Sequence, residues 1–125
     1  MPVTYENARR MALALPGVEE GMAYGTPAFR VAGRFLFRIR EDGALAVRIG
    51  FEEREALLAA DPRTFYLTDH YLNHPAILVR LSAVAPATLR EVLEKAWRFC
   101  APKRLLAERD GARPRRKPAR RRRKA

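Results

Sequence analysis

Two short runs of alternating residues joined by a turn decide the fold, and they occupy residues 34–50, RFLFRIREDGALAVRIG. Apolar residues recur at every second position in both runs, which is the pattern of a β-strand with one buried face. Asp42 and Gly43 between the runs are a strong signal for a tight hairpin turn. The stretch therefore predicts an antiparallel hairpin with strands at 34–40 and 45–49.

Further strands and three helices are predicted around this hairpin. Thr4 is a suitable N-cap for a first helix that ends before Pro16 and Gly17. A last helix begins near Pro86 and ends before Pro102, and its apolar stripe runs from Leu89 to Cys100 at helical spacing. The other predicted elements are strands at 22–24, 28–31, 65–67 and 77–81 and a short helix at 52–60.

Short turns between strands favour a largely antiparallel sheet, and the two terminal helices are expected to cover one face of it. The predicted fold class is therefore α+β, a two-layer sandwich. The chain of 125 residues is expected to form one domain over residues 1–110. Residues 111–125, GARPRRKPARRRRKA, have no apolar periodicity and dense like charge, so they are predicted to be a disordered basic tail.

Three features of the sequence bear on where the protein resides. No apolar run approaches the roughly 18–20 residues that a membrane span needs. The first ten residues, MPVTYENARR, lack the apolar region of a secretory signal. Cys100 is the single cysteine, so an intrachain disulfide or a cysteine-based zinc site is not expected. We therefore expect a cytoplasmic protein without integral membrane association.

The positive charge is concentrated in the tail. Lys and Arg number 25 against 14 Asp and Glu, which gives a formal net charge of +11. Residues 111–125 carry nine basic residues and no acid, whereas residues 1–110 carry 16 basic and 14 acidic residues. The domain itself is therefore nearly neutral, and any strong field that it produces must come from an uneven distribution of charge.

Arginines alternate with the apolar residues of the strands, which places them on the outward face of the predicted sheet. The helix-facing set is expected to be Phe29, Val31, Phe35, Phe37, Ile39, Leu45, Val47, Ile49, Ile77, Val79 and Leu81. Acidic residues are absent from 21–40, 43–51 and 70–90. The outward face then carries six arginines that are candidates for binding phosphates: Arg30, Arg34, Arg38, Arg40, Arg48 and Arg80.

Two other interpretations of these arginines remain open at this stage. In the first, the arginines form a solvated polar face that lies over apolar neighbours such as Leu36 and Leu78. Alternatively, acidic residues of the helices and loops fold over the face and neutralise it.

The tail is a second candidate for binding polyanions. A flexible polycation binds nucleic acid by releasing counterions, and phosphate contacts of this kind do not specify sequence. An incidental or solubilising tail is the alternative. Its basic residues are Arg113, Arg115, Arg116, Lys117, Arg120, Arg121, Arg122, Arg123 and Lys124.

No residue pattern predicts catalysis, a metal or a cofactor. His70, His74 and Asp69 lie in a predicted loop, and a group of two histidines and one carboxylate is too common to identify a metal site. Cys100 lies on the apolar stripe of the last helix and is expected to be part of the core. The acidic pairs at 19–20 and 52–53 are expected to face solvent, and the single glycines do not form a phosphate-binding loop.

Ordered motifs along residues 3–106 resemble those of the MmcQ/YjbR family. They are ALPGVEE at 14–20, YGTPAFR at 24–30, REDG at 40–43, EEREAL at 52–57, the stretch 65–80 with PAILVR, and AWR followed by APKR at 101–104. The resemblance implies a frataxin (CyaY)-like α+β fold with helices on one face of an antiparallel sheet. The family is commonly labelled DNA-binding, and it has no established set of catalytic residues.

The sequence therefore predicts a non-enzymatic protein that binds DNA or RNA through its phosphate backbone, independently of sequence, by the sheet arginines and the tail. The alternative is a protein-interaction or small-ligand module that uses the loop 68–75 with Tyr24 and Trp97 nearby. That alternative predicts an apolar pocket under the loop and no dependence on the sheet arginines.

Overall fold

Six antiparallel strands form one sheet in the computed structural model, which describes residues 3–111. The strands lie in the order β1-β2-β3-β4-β6-β5 across the sheet. The first four follow one another as hairpins, and β6 then inserts between β4 and β5. Their bounds are β1 Val18–Ala23, β2 Thr26–Val31, β3 Arg34–Ile39, β4 Leu45–Arg48, β5 Phe65–Tyr66 and β6 Ala76–Val79.

Helices form the second layer, and their apolar residues join those of the sheet in one core. This arrangement confirms the predicted two-layer α+β sandwich. A one-turn 3₁₀ helix at Asp69–Tyr71 interrupts the loop between β5 and β6. The α-helices of the described chain are α1 Tyr5–Leu13, α2 Phe51–Ala60, α3 Pro86–Cys100 and α4 Lys103–Gly111.

The sequence signals at the ends of α1 and α3 act as predicted. The Thr4 hydroxyl accepts a hydrogen bond from the Asn7 amide, and the Asn7 side chain accepts one from the Thr4 amide, which satisfies two backbone donors at the start of α1. Pro86 occupies the first turn of α3, where its missing amide hydrogen has no intrahelical partner to lose. The stripe from Leu89 to Cys100 is buried as expected.

An extra residue in β3 changes which side chains face the core. Phe29 pairs with Phe37, but the next residue of β2, Arg30, pairs with Phe35, so Leu36 has no partner. Such a bulge shifts the alternation of side chains by one position. Leu36 and Phe37 are both fully buried in the core, while Phe35 faces the other side of the sheet. The prediction that Phe35 belongs to the core and Leu36 to the outward face is therefore wrong.

The hairpin turns on both sides of β2 each contain a strained non-glycine residue followed by a glycine. Tyr24 and Gly25 have φ of 54° and 80°, and Ala32 and Gly33 have φ of 50° and 81°. Two consecutive residues with positive φ form the turn whose twist matches that of antiparallel strands. Glycine adopts this conformation readily, whereas a tyrosine or alanine there is strained.

Helix α4 was not foreseen from the sequence, because residues 103–111 contain few apolar residues at helical spacing. Leu105 anchors it in the core, and a Cβ built on Gly17 would lie only 2.8 Å from the Leu105 Cδ1. Two ion pairs with α3 complete the contact, Arg98 with Asp110 at 2.9 Å and Arg109 with Glu94 at 2.7 Å. The tail was predicted to begin at residue 111, which is the last residue of α4. Residues 112–125 lie outside the described residues.

Across residues 3–111, none of the helices has the length and apolar character required to traverse a lipid bilayer.

We expect Cys100 to resist alkylation in the folded protein. Burial raises the pKa of its thiol to about 11, and only the thiolate reacts with iodoacetamide. At pH 8 the folded protein should therefore be labelled roughly a hundredfold more slowly than the protein unfolded in urea. Equal labelling rates in the two states, measured by intact mass, would show that the thiol is accessible and not part of the core.

Candidate nucleic-acid interface

A pocket of about 660 Å³ lies on the face of the sheet opposite the helices. Its floor consists of outward residues of the central strands, namely Phe35, Arg38, Ala46, Arg48 and Ala76. One wall is the β1–β2 turn at Tyr24, and another is the loop at residues 68–75. The volume falls in the range typical of small-molecule sites.

Arg38 is held in place at the floor of the pocket. Its side chain is only 11% exposed. Its Nη1 donates a hydrogen bond to the Thr26 hydroxyl at 3.1 Å, and its guanidinium lies 5.0 Å from the centre of the Tyr24 ring. The nearest carboxylate oxygen belongs to the exposed Glu41, at 3.9 Å. These contacts restrain the position of Arg38, and its carboxylate partner is held only at the limit of an ion pair.

Arg40 has a donor group that residues 3–111 do not satisfy. Its side chain is 21% exposed and lies 5.9 Å from the centre of the Tyr71 ring. Its Nη1 is 3.3 Å from Asp42 Oδ2, a charge contact whose geometry is not that of a hydrogen bond. Within residues 3–111 this buried nitrogen is left with no hydrogen-bond acceptor. A buried charged donor without an acceptor is unfavourable, so the described residues leave this guanidinium incompletely satisfied.

Arg48 lies at the rim of the pocket, and its guanidinium lies towards the end of α3. It pairs with Ala76 across the β4–β6 ladder, and both residues line the pocket. The side chain is exposed, and its guanidinium lies 5.8 Å from the centre of the exposed Phe99 ring.

Arg30 and Arg80 project from the same face but do not line the pocket. Arg30 lies opposite Glu19 in the β1–β2 register, which partly offsets its charge. Arg80 stacks 3.9 Å from the centre of the Tyr66 ring and donates to the Arg63 carbonyl oxygen.

Arg34 does not share this face, and the prediction that it does is wrong. Its Nη1 donates to the Cys100 carbonyl oxygen at 3.1 Å, at the end of α3 in the opposite layer. The bulge at Leu36 reverses the alternation of side chains between Arg34 and Arg38. A prediction based on strict alternation along β3 therefore placed Arg34 on the wrong face. A cation at the carbonyl end of a helix is favourable, so Arg34 has a structural role.

Arg54 holds the loop wall of the pocket, and sequence reasoning did not single it out. It is buried, and its Nη1 lies within 3.2 Å of the carbonyl oxygens of Tyr71, Leu72 and His74. Its Nε and Nη2 contact the Glu55 carboxylate. The signal was present in the spacing, because Arg54 precedes the half-buried Leu57 by three residues on the inner side of α2.

The aromatic and imidazole rings of the loop also face the pocket. The rings of His70 and Tyr71 meet edge to face, with centres 4.8 Å apart. The ring centres of His70 and His74 are 5.6 Å apart. No cluster of three or more potential metal ligands occurs in the part of the chain that the structure describes.

Trp97 lies away from this pocket, which corrects its predicted proximity to the loop. It is fully buried among the helices, and its Nε1 donates to the Pro16 carbonyl oxygen at 2.8 Å. Tyr24, the other residue expected near the loop, does line the pocket and is 83% exposed.

The acidic residue Glu20 is engaged far from the pocket. It accepts hydrogen bonds from the Tyr5 hydroxyl and from Arg9 Nε, each at 2.9 Å. The hydrogen bond from Tyr5 lowers the pKa of Glu20 most, and the bond from Arg9 lowers it further. The carboxylate is therefore committed to joining α1 to β1.

A family model shows the family of this chain, and a solved structure shows its fold. The sequence model of the YjbR family matches residues 13–99. Uncharacterised proteins of Mycobacterium bovis and Mycobacterium tuberculosis are 39% identical over 51 residues, which is 41% of this chain. The match spans only 40% of the length of these relatives. The crystal structure of a Deinococcus radiodurans protein with a DUF419 domain superimposes with a TM-score of 0.65 and 23% identity, covering 87% of this chain and 81% of that one.

Replacing Arg54 should release the loop at 68–75. Arg54→Met keeps much of the apolar stem but removes the charged donors, so we expect a loss of about 2 kcal/mol in the free energy of unfolding. The amides of Tyr71, Leu72 and His74, which are hydrogen-bonded within the loop, should exchange with deuterium faster than in the unmodified protein.

Arg10→Met provides the control, because Arg10 is 75% exposed and pairs with Glu6 on the surface. Such a change should alter stability by no more than about 0.5 kcal/mol. Unchanged exchange of the loop amides in the Arg54 variant would mean that the loop holds its shape without this side chain.

Proposed function

The chain belongs to the YjbR family, and for this member we propose sequence-independent binding of single-stranded nucleic acid on the pocket face of the sheet. One observation carries the proposal: arginine guanidiniums and aromatic rings alternate around one concave site, with Arg38 beside Tyr24 and Arg40 beside Tyr71. Cationic groups that contact phosphates, interleaved with rings that stack on bases, are the recurring elements of single-strand binding.

The phosphate contacts are assigned to the arginines of this face. Arg38, Arg40 and Arg48 line the pocket together with a single carboxylate, that of Glu41. Guanidinium groups bind phosphate oxygens through paired, charge-assisted hydrogen bonds. Arg30 and Arg80 extend the positive surface on the same face beyond the pocket, where further phosphates of a strand would lie.

The base contacts are assigned to two tyrosine rings that line the pocket. Tyr24 is 83% exposed even though it is held in a strained turn, and Tyr71 faces it from the loop wall. Strain of this kind is tolerated where the surrounding structure demands it, often at binding sites. A base in a duplex is stacked on its neighbours and has no free face, so this pocket favours an unpaired strand.

The tail adds attraction that is independent of the pocket. α4 packs on α3 through Arg109 and Asp110, so the chain enters the tail from the helix layer. We propose that its basic residues bind phosphates without sequence preference. That part of the affinity decreases steeply with salt.

A small anionic ligand is the second candidate, because the pocket alone has a suitable volume. The sequence-based form of this alternative expected no dependence on the sheet arginines. Since three of them line the pocket, the small-ligand proposal now also requires a negatively charged group on the ligand.

Fluorescence anisotropy over a salt series should separate the pocket from the tail. We expect the full chain to bind single-stranded DNA and RNA more tightly than a duplex of equal length. Replacing all the basic residues of 111–125 by glutamine should lower the affinity and the salt slope, while the preference for single strands persists. Each phosphate contact that is lost should reduce the slope by about 0.7.

The double variant Arg40→Gln with Arg48→Gln should reduce single-strand affinity, and Arg10→Gln on the helix side should leave it unchanged. If the tail-neutralised chain binds no single strand even at low salt, the sheet face is not a nucleic-acid site.

The two strained turns allow a matched test of Tyr24. Asparagine tolerates positive φ, so Tyr24→Asn and Ala32→Asn should each relieve about 1 kcal/mol of backbone strain. Tyr24→Asn also loses the exposed contact with Arg38, worth about 0.5–1 kcal/mol, so only Ala32→Asn should raise the melting temperature clearly. Single-strand affinity should decrease about tenfold in Tyr24→Asn alone. Equal affinities of the two variants would exclude Tyr24 as a stacking residue.

A further inference from the structure

The pocket has features that suit one end of a nucleotide chain better than its middle. We propose that it binds a phosphate monoester carried next to an aromatic ring, as in a nucleoside monophosphate or the phosphorylated end of a strand. The inference rests on the proposed function, since it assigns the phosphate to a nucleotide, and it names the group that this site selects.

The charge of the pocket favours a monoester over a diester. Its lining residues include three arginines and one acidic residue, Glu41. Asp42, which lies outside the lining, offsets part of the charge of Arg40. A monoester carries a charge near −1.5 to −2 at neutral pH, whereas an internal phosphodiester carries one negative charge. In a partly desolvated positive pocket the additional charge strengthens binding.

The hydrogen-bond donors of the pocket also match the larger number of acceptors on a monoester. Arg40 Nη1 is buried and makes no hydrogen bond within residues 3–111. Arg48 at the rim is exposed, and its guanidinium lies against the Phe99 ring and near Cys100 at the end of α3. A terminal phosphate presents three acceptor oxygens, so it can accept hydrogen bonds from more than one guanidinium.

Aromatic rings on two sides give the pocket its preference for a planar group. Tyr24 and Tyr71 belong to opposite walls, and each lies close to one of the arginines, Arg38 and Arg40 respectively. Phe35, which the bulge in β3 turns to this side, adds an apolar surface to the floor. A base can contact these rings while its phosphate reaches the arginines, and a bare phosphate lacks the first set of contacts.

The test compares oligonucleotides that differ only at one end. Single-stranded DNA of one sequence is prepared with a 5′-phosphate, a 3′-phosphate or hydroxyls at both ends, and its affinity for the full-length protein is measured by anisotropy. We expect at least one phosphorylated form to bind about tenfold more tightly than the hydroxyl form. The free nucleoside monophosphate should compete for the site, whereas the nucleoside and inorganic phosphate should compete poorly.

Variants then locate the effect. Arg48→Gln, an exposed position that the fold does not require, and Arg40→Gln should each abolish the preference for the phosphorylated end. Arg10→Gln should retain it, and thermal unfolding checks that each variant is folded. Persistence of the preference in both pocket variants would overturn the proposal, because the phosphate would then be bound elsewhere, the tail included.

The outcomes distinguish this inference from the proposed function. Equal affinities for phosphorylated and hydroxyl ends, with single strands still preferred to duplex, would overturn only the selection of a monoester. Pocket-dependent binding of the free mononucleotide without any binding of oligonucleotides would support the monoester site and overturn the single-strand function.

Discussion

One extra residue in β3 controls what both faces of the sheet can do. Because Leu36 has no partner in β2, Leu36 and Phe37 both enter the core, and Phe35 is turned to the opposite face. The same shift sends Arg34 to the carbonyl end of α3 and leaves Arg38 on the floor of the pocket. A regular strand would have buried Phe35 and placed Arg34 and Arg38 on the same face. The bulge thus exchanges an arginine for an aromatic ring on the pocket face, which makes the site mixed in character instead of purely cationic.

The second requirement is a loop that stays in place. Residues 68–75 contain little regular structure, and their carbonyl oxygens converge on the buried guanidinium of Arg54. This side chain acts as a cross-link between α2 and the pocket wall, and it brings Tyr71 and the two histidines to face Tyr24 across the site. Arginine suits this position because one guanidinium offers several donors in a fixed plane. Arg38 and Arg40 are restrained in a related way, by rings and by neighbouring oxygens, which lowers the entropic cost of ordering them around a ligand.

Most elements of the fold follow from local patterns in the sequence. Thr4 and Asn7 cap α1 through contacts within one turn, Pro86 begins α3, and Asp42-Gly43 turns β3 into β4, so each signal acts over a few residues. The motifs that resemble the YjbR family extend this reading to the whole domain, and the match over residues 13–99 confirms the family. α4 was missed because its stability comes from Leu105 and from ion pairs with α3, which are contacts between distant parts of the chain. For the site, the sequence singled out six arginines as candidates but did not show that Arg38, Arg40 and Arg48 line one pocket while Arg34 lies elsewhere. It also did not single out Arg54.

The sequence by itself determined the periodicity of the strands, the caps and turns, and the separation of arginines from acidic residues along the sheet. These depend on the backbone preferences of single residues and on counting along a regular element, and both are local properties. Only the tertiary structure decided which arginines share a face, that Phe35 leaves the core, and that Arg54 fixes the loop at 68–75. A bulge forms when the pairing of two strands and the packing of the core are satisfied together, and Arg54 finds its carbonyl partners only once α2 and the loop have met. Neither event can be read from one element in isolation.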